Sequence, residues 1–465
     1  MRRSLETIVV SELINAGLDL IRYDSYLRQN LSLAWPLALN ALLIQSMLMI
    51  DTLLVAPLGE LSVAAMGIAT TLITFVLGVE IAIGNGIQLL VGRAYGSGNQ
   101  SDINVAYWAG VFINGVTGVV FFIALALFSD SLVALITDDT VLAEQTNTYL
   151  NVAKYIVLVS AYSQSCTALF NGLGNSKVPL KGFLFEIPAN IAISYFLIHG
   201  GAGFEGVGVE GAAWGSLLAV CLRAGFLFSC LYRGSLNLRY PKGRPFLGEI
   251  NPQFSVIYPI AANFIILSVG ATVYQLLFAQ LSVYSFAAIT LIFPWVRGGT
   301  QFPNAWAQAS AITISQALGK SHLKGVISFI PACTRFGMML AFATALAFIV
   351  LSVCVPYIYP DIAPETQRAL NVIAPLYIIL PVIRAYNTIA GNVLRAMGQS
   401  SRVLKIHFYT QWVISVPLCA LLILYFDVSI FWAFALLPLE ELLKTVPFYR
   451  YKNRYQKTLS SQVAV

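Results

Sequence analysis

The sequence has few charged residues for its length. Only 10% of its 465 residues are Asp, Glu, Lys or Arg, whereas ordinary soluble domains carry about 25%. A soluble chain this long would form several domains, each needing a charged surface that 27 Lys/Arg and 21 Asp/Glu cannot supply. Hydrophobic residues make up 58% of the chain and occur in continuous runs, not in the alternating pattern of a membrane β-barrel. The composition excludes a soluble enzyme and predicts an all-α polytopic membrane protein.

The sequence also lacks the patterns that bind metals or nucleotides. Its six cysteines and three histidines are scattered, without a CxxC pair or a spacing that suits a metal ion or a disulfide framework. No phosphate-binding motif of the form GxxxxGKS or GxxxxGKT occurs, so the chain has no means of hydrolysing ATP. We therefore expect no cofactor and no metal site. If the protein pumps a solute, an ion gradient must drive it.

The apolar runs predict twelve membrane-spanning helices, since about 20 helical residues cross a bilayer core. The runs are separated by charged residues and by Gly and Pro breaks. Their ranges are 32–57, 62–92, 102–128, 142–171, 178–199, 208–233, 252–280, 284–316, 324–357, 367–396, 401–426 and 429–449. The second, eighth and ninth runs are long enough to tilt or to include a turn outside the lipid.

The loop charges predict the orientation of these helices. If the N-terminus is cytoplasmic, the inner segments hold nearly all the Lys and Arg, and the outer loops hold mostly Asp and Glu. Both termini are then cytoplasmic. The net charge of +6 is interpreted as this topology signal and not as a nucleic-acid surface. The expected segments are a cytoplasmic amphipathic N-terminus (1–31), an N-terminal six-helix lobe (32–233), a cytoplasmic linker (234–251), a C-terminal six-helix lobe (252–449) and a cytoplasmic basic tail (450–465).

The chain contains two copies of one six-helix unit. Aligning Pro36 with Pro259 also aligns Asn40 with Asn263, and one added residue in the second copy continues the match to Gly174 and Gly398. Because six is an even number, both copies cross the membrane in the same sense. Parallel repeats of this kind occur in transporters that rock two bundles around a central site. The duplication favours an alternating-access carrier over a receptor or a membrane enzyme.

Asp51 is the strongest candidate for a functional residue. It lies in the apolar run 42–57, about 9 Å below the outer end of the first span at about 1.5 Å per residue. An ionisable residue near the bilayer centre costs about 2.5–3.5 kcal/mol to insert. Its counterpart in the second copy is Tyr274, so the acid is not needed for the shared fold. We expect Asp51 to bind and release a coupling ion; a structural acid that hydrogen-bonds to its neighbours is the alternative.

Four other residues in the predicted spans are polar or can bend a helix, and each has a possible role. Asn190 in the fifth span is at a depth that could face Asp51, or could form an interhelical hydrogen bond instead. Glu80, in the second span, is a second buried acid and a possible contact for a cationic substrate. Pro36 predicts either a hinge in the first span that responds to protonation of Asp51, or a packing kink common to both repeats. Glu186 is expected to snorkel to the membrane edge.

Several motifs resemble one transporter family. They are LVGRAYGSGN at 90–99, NGLGNSKVPL at 171–180 with its repeat LRAMGQSSRVL at 394–404, and the stretch 190–215, which ends in GVGVEGAAWG. Together with an acid that follows an early proline in the first span, they make nearly the whole chain similar to the multidrug and toxic compound extrusion (MATE) family.

This resemblance implies a twelve-helix antiporter, with its two lobes forming a V, that expels cationic or amphipathic drugs in exchange for protons or sodium. It also implies that Thr167 and Ser194 support a cation site formed by Asp51 and Asn190. The seventh and tenth spans lack the carboxylates that sodium-coupled members often carry, which favours protons. A sodium-coupled antiporter and a lipid-linked oligosaccharide flippase of the same superfamily are the alternatives. We expect a monomer.

Overall fold

The computed structural model describes residues 25–201, 203–234, 238–240, 243 and 245–464, and most of these are helical. The amphipathic N-terminal segment predicted at 1–31 falls mostly outside the described residues. The helices are α1 Ser25–Val55, α2 Glu60–Gly96, α3 Gln100–Ala134, α4 Thr140–Gly172, α5 Lys177–His199, α6 Val209–Arg233, α7 Phe246–Phe278, α8 Val283–Gly299, α9 Gln301–Gly319, α10 Leu323–Ile358, α11 Pro364–Ala396, α12 Ser400–Phe408, α13 Val416–Leu424 and α14 Ile430–Ala464.

These helices form the twelve rods that the sequence predicts, if α8 is counted with α9 and α12 with α13. Nine segments of the described chain are long and apolar enough to cross a membrane. The short connections include a 3₁₀ turn at Ala56–Leu58 and an antiparallel hairpin that joins α5 to α6, with strands β1 Gly200–Gly201 and β2 Phe204–Glu205. The prediction of an all-α polytopic membrane protein is confirmed.

The turns that end the helices repeat with the sequence. Gly174 and Gly398, which are aligned in the two copies, follow α4 and α11 with φ of 87° and 76°. Gly98 and Ser321 are also aligned, and they too share a positive φ, at 71° and 55°. A left-handed residue after a helix is the usual C-terminal stop, and glycine takes it without strain. The duplication seen in the sequence is therefore present in the backbone.

The span predicted at 284–316 needs correction, because it consists of two helices that meet at Thr300. The Thr300 hydroxyl donates to the carbonyl groups of Val296 at 2.9 Å and Arg297 at 3.0 Å. Such bonds back to the preceding turn bend helices. Two glycines, Gly298 and Gly299, come directly before the break, and glycine is a poor helix former.

Two further helices differ from a simple span. A π-helical turn at Tyr409–Ser415 separates α12 from α13, and a turn of this kind holds one more residue than the α-helix around it. The last helix, α14, continues through the tail predicted at 450–465 as far as Ala464. On this extension the Lys452 ammonium lies 4.6 Å from the ring centre of Tyr386.

The chain divides into two compact units. The N-unit is Leu39–Phe264, and the C-unit is Met1–Ala38 together with Ile265–Val465. Both boundaries lie inside the first helix of a repeat, α1 or α7, and so fall after the starts of the predicted lobes, at 32 and 252. The beginning and the end of α1 therefore belong to different units, and so do the beginning and the end of α7.

Contacts within the C-unit show why the beginning of α1 belongs to it. The amide of Asn30 donates to the Ser310 hydroxyl at 3.1 Å, and its carbonyl oxygen accepts from the Thr313 hydroxyl at 3.1 Å. In the N-unit, Ile257 of α7 lies against Gly86 of α2 so closely that a side chain at Gly86 would collide with it.

Each unit has its own apolar core. The N-unit core is formed mainly by α2, α4 and α6, with Ile73, Ala153 and Val220 among its buried residues. The C-unit core includes the buried aromatic residues Tyr377 and Phe434. In closely packed helices most buried polar groups have a hydrogen-bond partner, so a buried polar side chain without one is unusual.

Candidate functional site

Asp51 is buried in the N-unit, about three helical turns after the N-unit boundary in α1, with 7% of its surface exposed. Its Oδ2 atom accepts a long hydrogen bond, 3.5 Å, from the Ser216 hydroxyl of α6. Its Oδ1 atom has no hydrogen-bond partner among the described residues. No described Lys or Arg forms an ion pair with it. The carboxyl group of Asp51 is therefore buried with one neutral hydrogen-bond donor and without a cation to balance it among the described residues.

Asn190 belongs to the same site, as the sequence suggests. Its amide Nδ2 donates to the Ser216 hydroxyl at 3.2 Å, so Ser216 links Asn190 to Asp51. The buried hydroxyl of Tyr149 on α4 lies close enough to interact with both Ser216 and Asp51. The carbonyl oxygen of Asn190 has no partner in the described part of the chain. Three helices, α1, α5 and α6, therefore join through one short polar chain.

The two supporting residues proposed from the resemblance differ in their surroundings. Ser194 is fully buried one turn after Asn190, and its hydroxyl has no partner among the described residues. It faces Gly215 of α6, where an added Cβ would collide with the Ser194 hydroxyl. Thr167 of α4 is only partly buried, and nothing in the structure joins it to Asp51. Asp51 and Asn190 are therefore linked by hydrogen bonds through Ser216, and Ser194 lies one helical turn from Asn190. Thr167 is not linked to Asp51 by any hydrogen bond among the described residues.

Glu186 is buried, and the expectation that it snorkels to the membrane edge is wrong. Its Oε2 atom lies 3.1 Å from Nη1 of Arg223 on α6, and both side chains are at most 6% exposed. The Arg223 Nε atom donates to the Ser163 hydroxyl at 3.1 Å, and the guanidinium lies 4.3 Å from the ring centre of Phe183. Arg223 gives Glu186 a partner inside the unit, so the acid need not reach water.

Glu80 is the third buried carboxyl of the N-unit. It lies on α2, is fully buried, and has Ser160 and Arg223 as its polar neighbours. Gly118 of α3 leaves room for it, since a Cβ there would lie 3.5 Å from Glu80 Oε1. Among the described residues, the charged groups buried in the N-unit are therefore Asp51, Glu80, Glu186 and one cation, Arg223. One cation can balance one carboxylate, so the cluster holds more acid than base.

Pro36 is buried within α1, two residues before the chain passes from the C-unit into the N-unit. The helix continues through it without a break from Ser25 to Val55. A proline inside a helix removes one backbone hydrogen bond and weakens the helix at that point. Pro36 and Asp51 lie about four helical turns apart on the same rod.

A second polar cluster lies in the C-unit, and its acids, Glu440 and Glu441, are not among the residues singled out from the sequence. Glu440 of α14 accepts hydrogen bonds from the Tyr274 hydroxyl and from the Lys444 ammonium. Glu441 accepts from Asn387 Nδ2 at 2.9 Å and from Arg384 Nε at 3.3 Å. The signal that could have found it is the i, i+4 spacing of Glu440 and Lys444 inside an apolar run, which allows an ion pair on one helix.

The same cluster borders a cavity of about 420 Å³ inside the C-unit. Its wall includes the basic residues Arg297, Arg384 and Arg395 together with apolar residues such as Phe293 and Phe434. A cavity of this size falls in the range of small-molecule sites, which are about 300–1,000 Å³. In the described residues, no group of His, Cys, Asp or Glu is arranged to hold a metal ion.

The duplicated helices and the buried carboxyls define a polytopic membrane protein with the design of a carrier. A family model described as MatE matches twice, at residues 36–196 and 259–421. The chain therefore belongs to the MatE family, and the two matches confirm the internal repeat.

Relatives of known name agree with this assignment. The chain is 23% identical over 398 residues to the probable multidrug resistance protein NorM of Rhizobium meliloti, a match that covers 83% of this chain and 81% of the relative. It is 22% identical to the multidrug resistance protein NorM of Burkholderia vietnamiensis, over 83% of this chain and 84% of that one. A crystal structure of MATE in the bent conformation matches with a TM-score of 0.85 at 14% identity, covering 97% and 99% of the two chains. The fold is therefore that of the MATE transporters.

Proposed function

We propose that this chain is a secondary active transporter that exports cationic or amphipathic small molecules in exchange for protons, by alternating access. The observation that supports the proposal most strongly is the state of Asp51, a buried carboxyl in α1 with one neutral hydrogen-bond donor at 3.5 Å and no ion-pair partner among the described residues. The names of the relatives, multidrug resistance proteins, support the export of drugs.

The coupling step follows from the cost of burying charge. A protonated Asp51 is a neutral acid that can both donate and accept a hydrogen bond, whereas an ionised Asp51 is a charge in an apolar region. The ionised form draws donors toward it, and the nearest are the Ser216 hydroxyl and the amide of Asn190. Because Asp51 is carried on α1, a change in these hydrogen bonds acts on the position of that helix. Proton binding and release can thus favour different arrangements of α1.

Glu80 offers a place for the positive charge of a substrate. Both of its carboxyl oxygens lack a hydrogen-bond partner in the described residues, and Arg223 is already paired with Glu186. A cation near Glu80 would therefore meet an acid that is not fully neutralised. Protons and substrate would then use different carboxyl groups of the same unit.

The orientation that accompanies this function also remains a proposal. We infer that the protein lies in a bacterial inner membrane as a monomer, with both termini in the cytoplasm. The argument is the distribution of basic residues, which are concentrated on one side of the predicted spans. With this orientation Asp51 lies nearer the outer surface, where protons enter during efflux.

The test is transport by the purified full chain in sealed liposomes. A cationic dye is followed under a proton gradient alone and under a sodium gradient alone. We expect wild-type transport with the proton gradient and none above background for Asp51→Asn, which keeps the shape of the side chain but cannot exchange a proton. The matched control is Asp138→Asn, an exposed acid with the same chemical change.

Three results would contradict the proposal. Proton-driven transport by Asp51→Asn at the wild-type rate would remove Asp51 from the coupling step. Transport driven by sodium alone would replace the proton with sodium as the coupling ion. Movement of a labelled lipid-linked sugar, with no dye movement under either gradient, would favour a flippase.

A further inference from the structure

The cavity of the C-unit carries more positive than negative charge. Four cationic side chains line it, Arg297, Arg384, Arg395 and Lys444, and its two acids are Glu440 and Glu441. Lys444 is held between these acids, at 2.5 Å from Glu440 and 3.4 Å from Glu441. The excess positive charge therefore belongs to the three arginines.

These arginines have donor groups to spare. Arg384 uses only its Nε atom, at 3.3 Å from Glu441, and 37% of its side chain remains exposed. Arg297 and Arg395 form no side-chain hydrogen bond or ion pair with any described residue. A guanidinium carries five N–H donors in a planar fork, so each of the three can still bind an anion.

The repeat shows that the fold does not need these charges. The alignment of the two copies places Thr74 at the position of Arg297, Ser160 at that of Arg384 and Asn171 at that of Arg395. All three positions are uncharged in the first repeat. A cation within a membrane-spanning helix is costly and typically marks a functional site. Arg297 and Arg384 lie inside predicted spans and Arg395 lies at the end of α11. All three border one cavity, and the first repeat has none of them, which indicates a ligand.

A further polar group faces the same space. Gln411 lines the cavity, is 4% exposed, and has a carbonyl oxygen without a partner among the described residues. It lies in the π-helical turn Tyr409–Ser415, and such turns are frequent at functional sites. Apolar walls, including Phe293, Leu380 and Phe434, complete the lining. The cavity thus combines apolar surface and the arginine donors with a hydrogen-bond acceptor, the carbonyl oxygen of Gln411.

We propose that this cavity binds the anionic group, a carboxylate or a phosphate, of an amphiphilic ligand. The proposal rests on the proposed function in that the ligand is taken to be a transported molecule, which would then bear an acidic group beside its cationic or apolar part. The acidic group pairs with Arg384 and Arg395, and Arg297 adds a third positive charge. The same chemistry is found in a phospholipid headgroup, which is the second possible source of the anion.

The test compares two dyes that differ in one charge. Rhodamine B carries a free carboxylate and a delocalised cation, and its ethyl ester carries only the cation. Binding of each dye is measured by isothermal titration calorimetry on the full chain in nanodiscs of a zwitterionic lipid, with empty nanodiscs as the blank. This measurement needs neither a gradient nor transport, so it does not depend on the coupling mechanism.

We expect Arg384→Gln and Arg395→Gln each to weaken binding of rhodamine B by about tenfold, as for loss of one hydrogen bond to a charged group. Binding of the ester should change by less than about twofold in the same proteins, which also shows that they are folded. The matched control is Arg402→Gln, because Arg402 stacks on Tyr451 and Tyr455 and does not line the cavity.

A second arm identifies the source of the anion. The binding is repeated in nanodiscs that contain phosphatidylglycerol. If this lipid weakens rhodamine B binding to the wild type but not to Arg395→Gln, the anion site is confirmed and a lipid headgroup can fill it. If the lipid has no effect while the arginine variants lose rhodamine B, the site is confirmed as one for a soluble acidic ligand.

Two results would overturn the proposal. One is wild-type protein that binds rhodamine B no more tightly than the ester. The other is an equal loss of both dyes in the arginine variants, or an equal loss in Arg402→Gln. Failure of the proposed transport function gives a different pattern, in which the two dyes still bind unequally but neither crosses the membrane under any gradient.

Discussion

At the residue scale, the polar groups of the N-unit divide by whether they have a charged partner. Glu186 and Arg223 form an ion pair, while Asp51 has no ion-pair partner among the described residues. A guanidinium stays charged in any protein environment, whereas a carboxyl can take up a proton. Removing Glu186 leaves a charge that cannot be neutralised, whereas removing Arg223 leaves an acid that can take up a proton. The two removals should therefore differ in their effect on stability.

This difference gives a prediction about stability. Glu186→Leu leaves the buried Arg223 charge without its partner and should destabilise the protein by about 3–5 kcal/mol. Arg223→Met should cost less, because the remaining acid can become neutral. The double variant should recover much of the loss. The measurement is the thermal unfolding midpoint of purified protein in detergent, with the exposed Glu144→Leu as the control. Equal losses in the two single variants would contradict the argument.

Which of these residues the sequence can identify depends on how unusual each is in its surroundings. Asp51 and Asn190 are costly groups in apolar runs, so both can be predicted. Ser216 joins them, but a serine is common in membrane helices and carries no such signal. The prediction for Glu186 fails because its partner Arg223 lies on the next helix, and only the packing of α5 on α6 brings the two together.

At the scale of the element, α1 is the helix that links the candidate site to a weak point. Pro36 lies near the place where α1 leaves the C-unit, and Asp51 lies farther along inside the N-unit. The second repeat has the same proline, Pro259 in α7, but no acid at the position of Asp51. The two prolines thus hold matching positions, and only the helix that contains Pro36 carries an acid at the position of Asp51.

The repeat therefore supplies its own control for the hinge. Pro36→Ala restores a backbone hydrogen bond and stiffens α1, so we expect proton-driven dye transport to fall well below that of Pro259→Ala. Both variants should fold, as judged by their unfolding midpoints. If the two variants lose transport to the same extent, the prolines are packing kinks and Pro36 has no special link to Asp51.

Apolar length predicts where the long helices lie, but it does not predict where a helix breaks or where the last one ends. The positions of the long helices follow from apolar length, and the twelve rods are correctly predicted. The break at Thr300 is not, because glycines and a threonine are ordinary residues in membrane helices and only their hydrogen bonding shows where the rod bends. The predicted end of the last helix is too early, since α14 continues beyond the apolar run with polar residues on its surface.

At the scale of the whole molecule, the distribution of basic residues is the basis of the proposed orientation. The proposed orientation puts the exposed Asp138 outside and the exposed Ser461, near the end of α14, in the cytoplasm. In a variant whose native cysteines are replaced, Asp138→Cys should react with a membrane-impermeant maleimide in intact cells. Ser461→Cys should react only after the membrane is permeabilised. Labelling of Ser461→Cys in intact cells would reverse the orientation.

The π-helical turn at Tyr409–Ser415 also affects how the two repeats compare in length. Gly174 and Gly398 hold matching places in the two repeats before this turn, and the family matches end after it, at 196 and 421. The two ends stand one position farther apart than the two glycines do. A π-helical turn holds one residue more than the α-helix around it, so it can take up such an offset inside the helix and leave the loops on either side unchanged in length. The two repeats can thus differ by one residue and still keep the same order of helices.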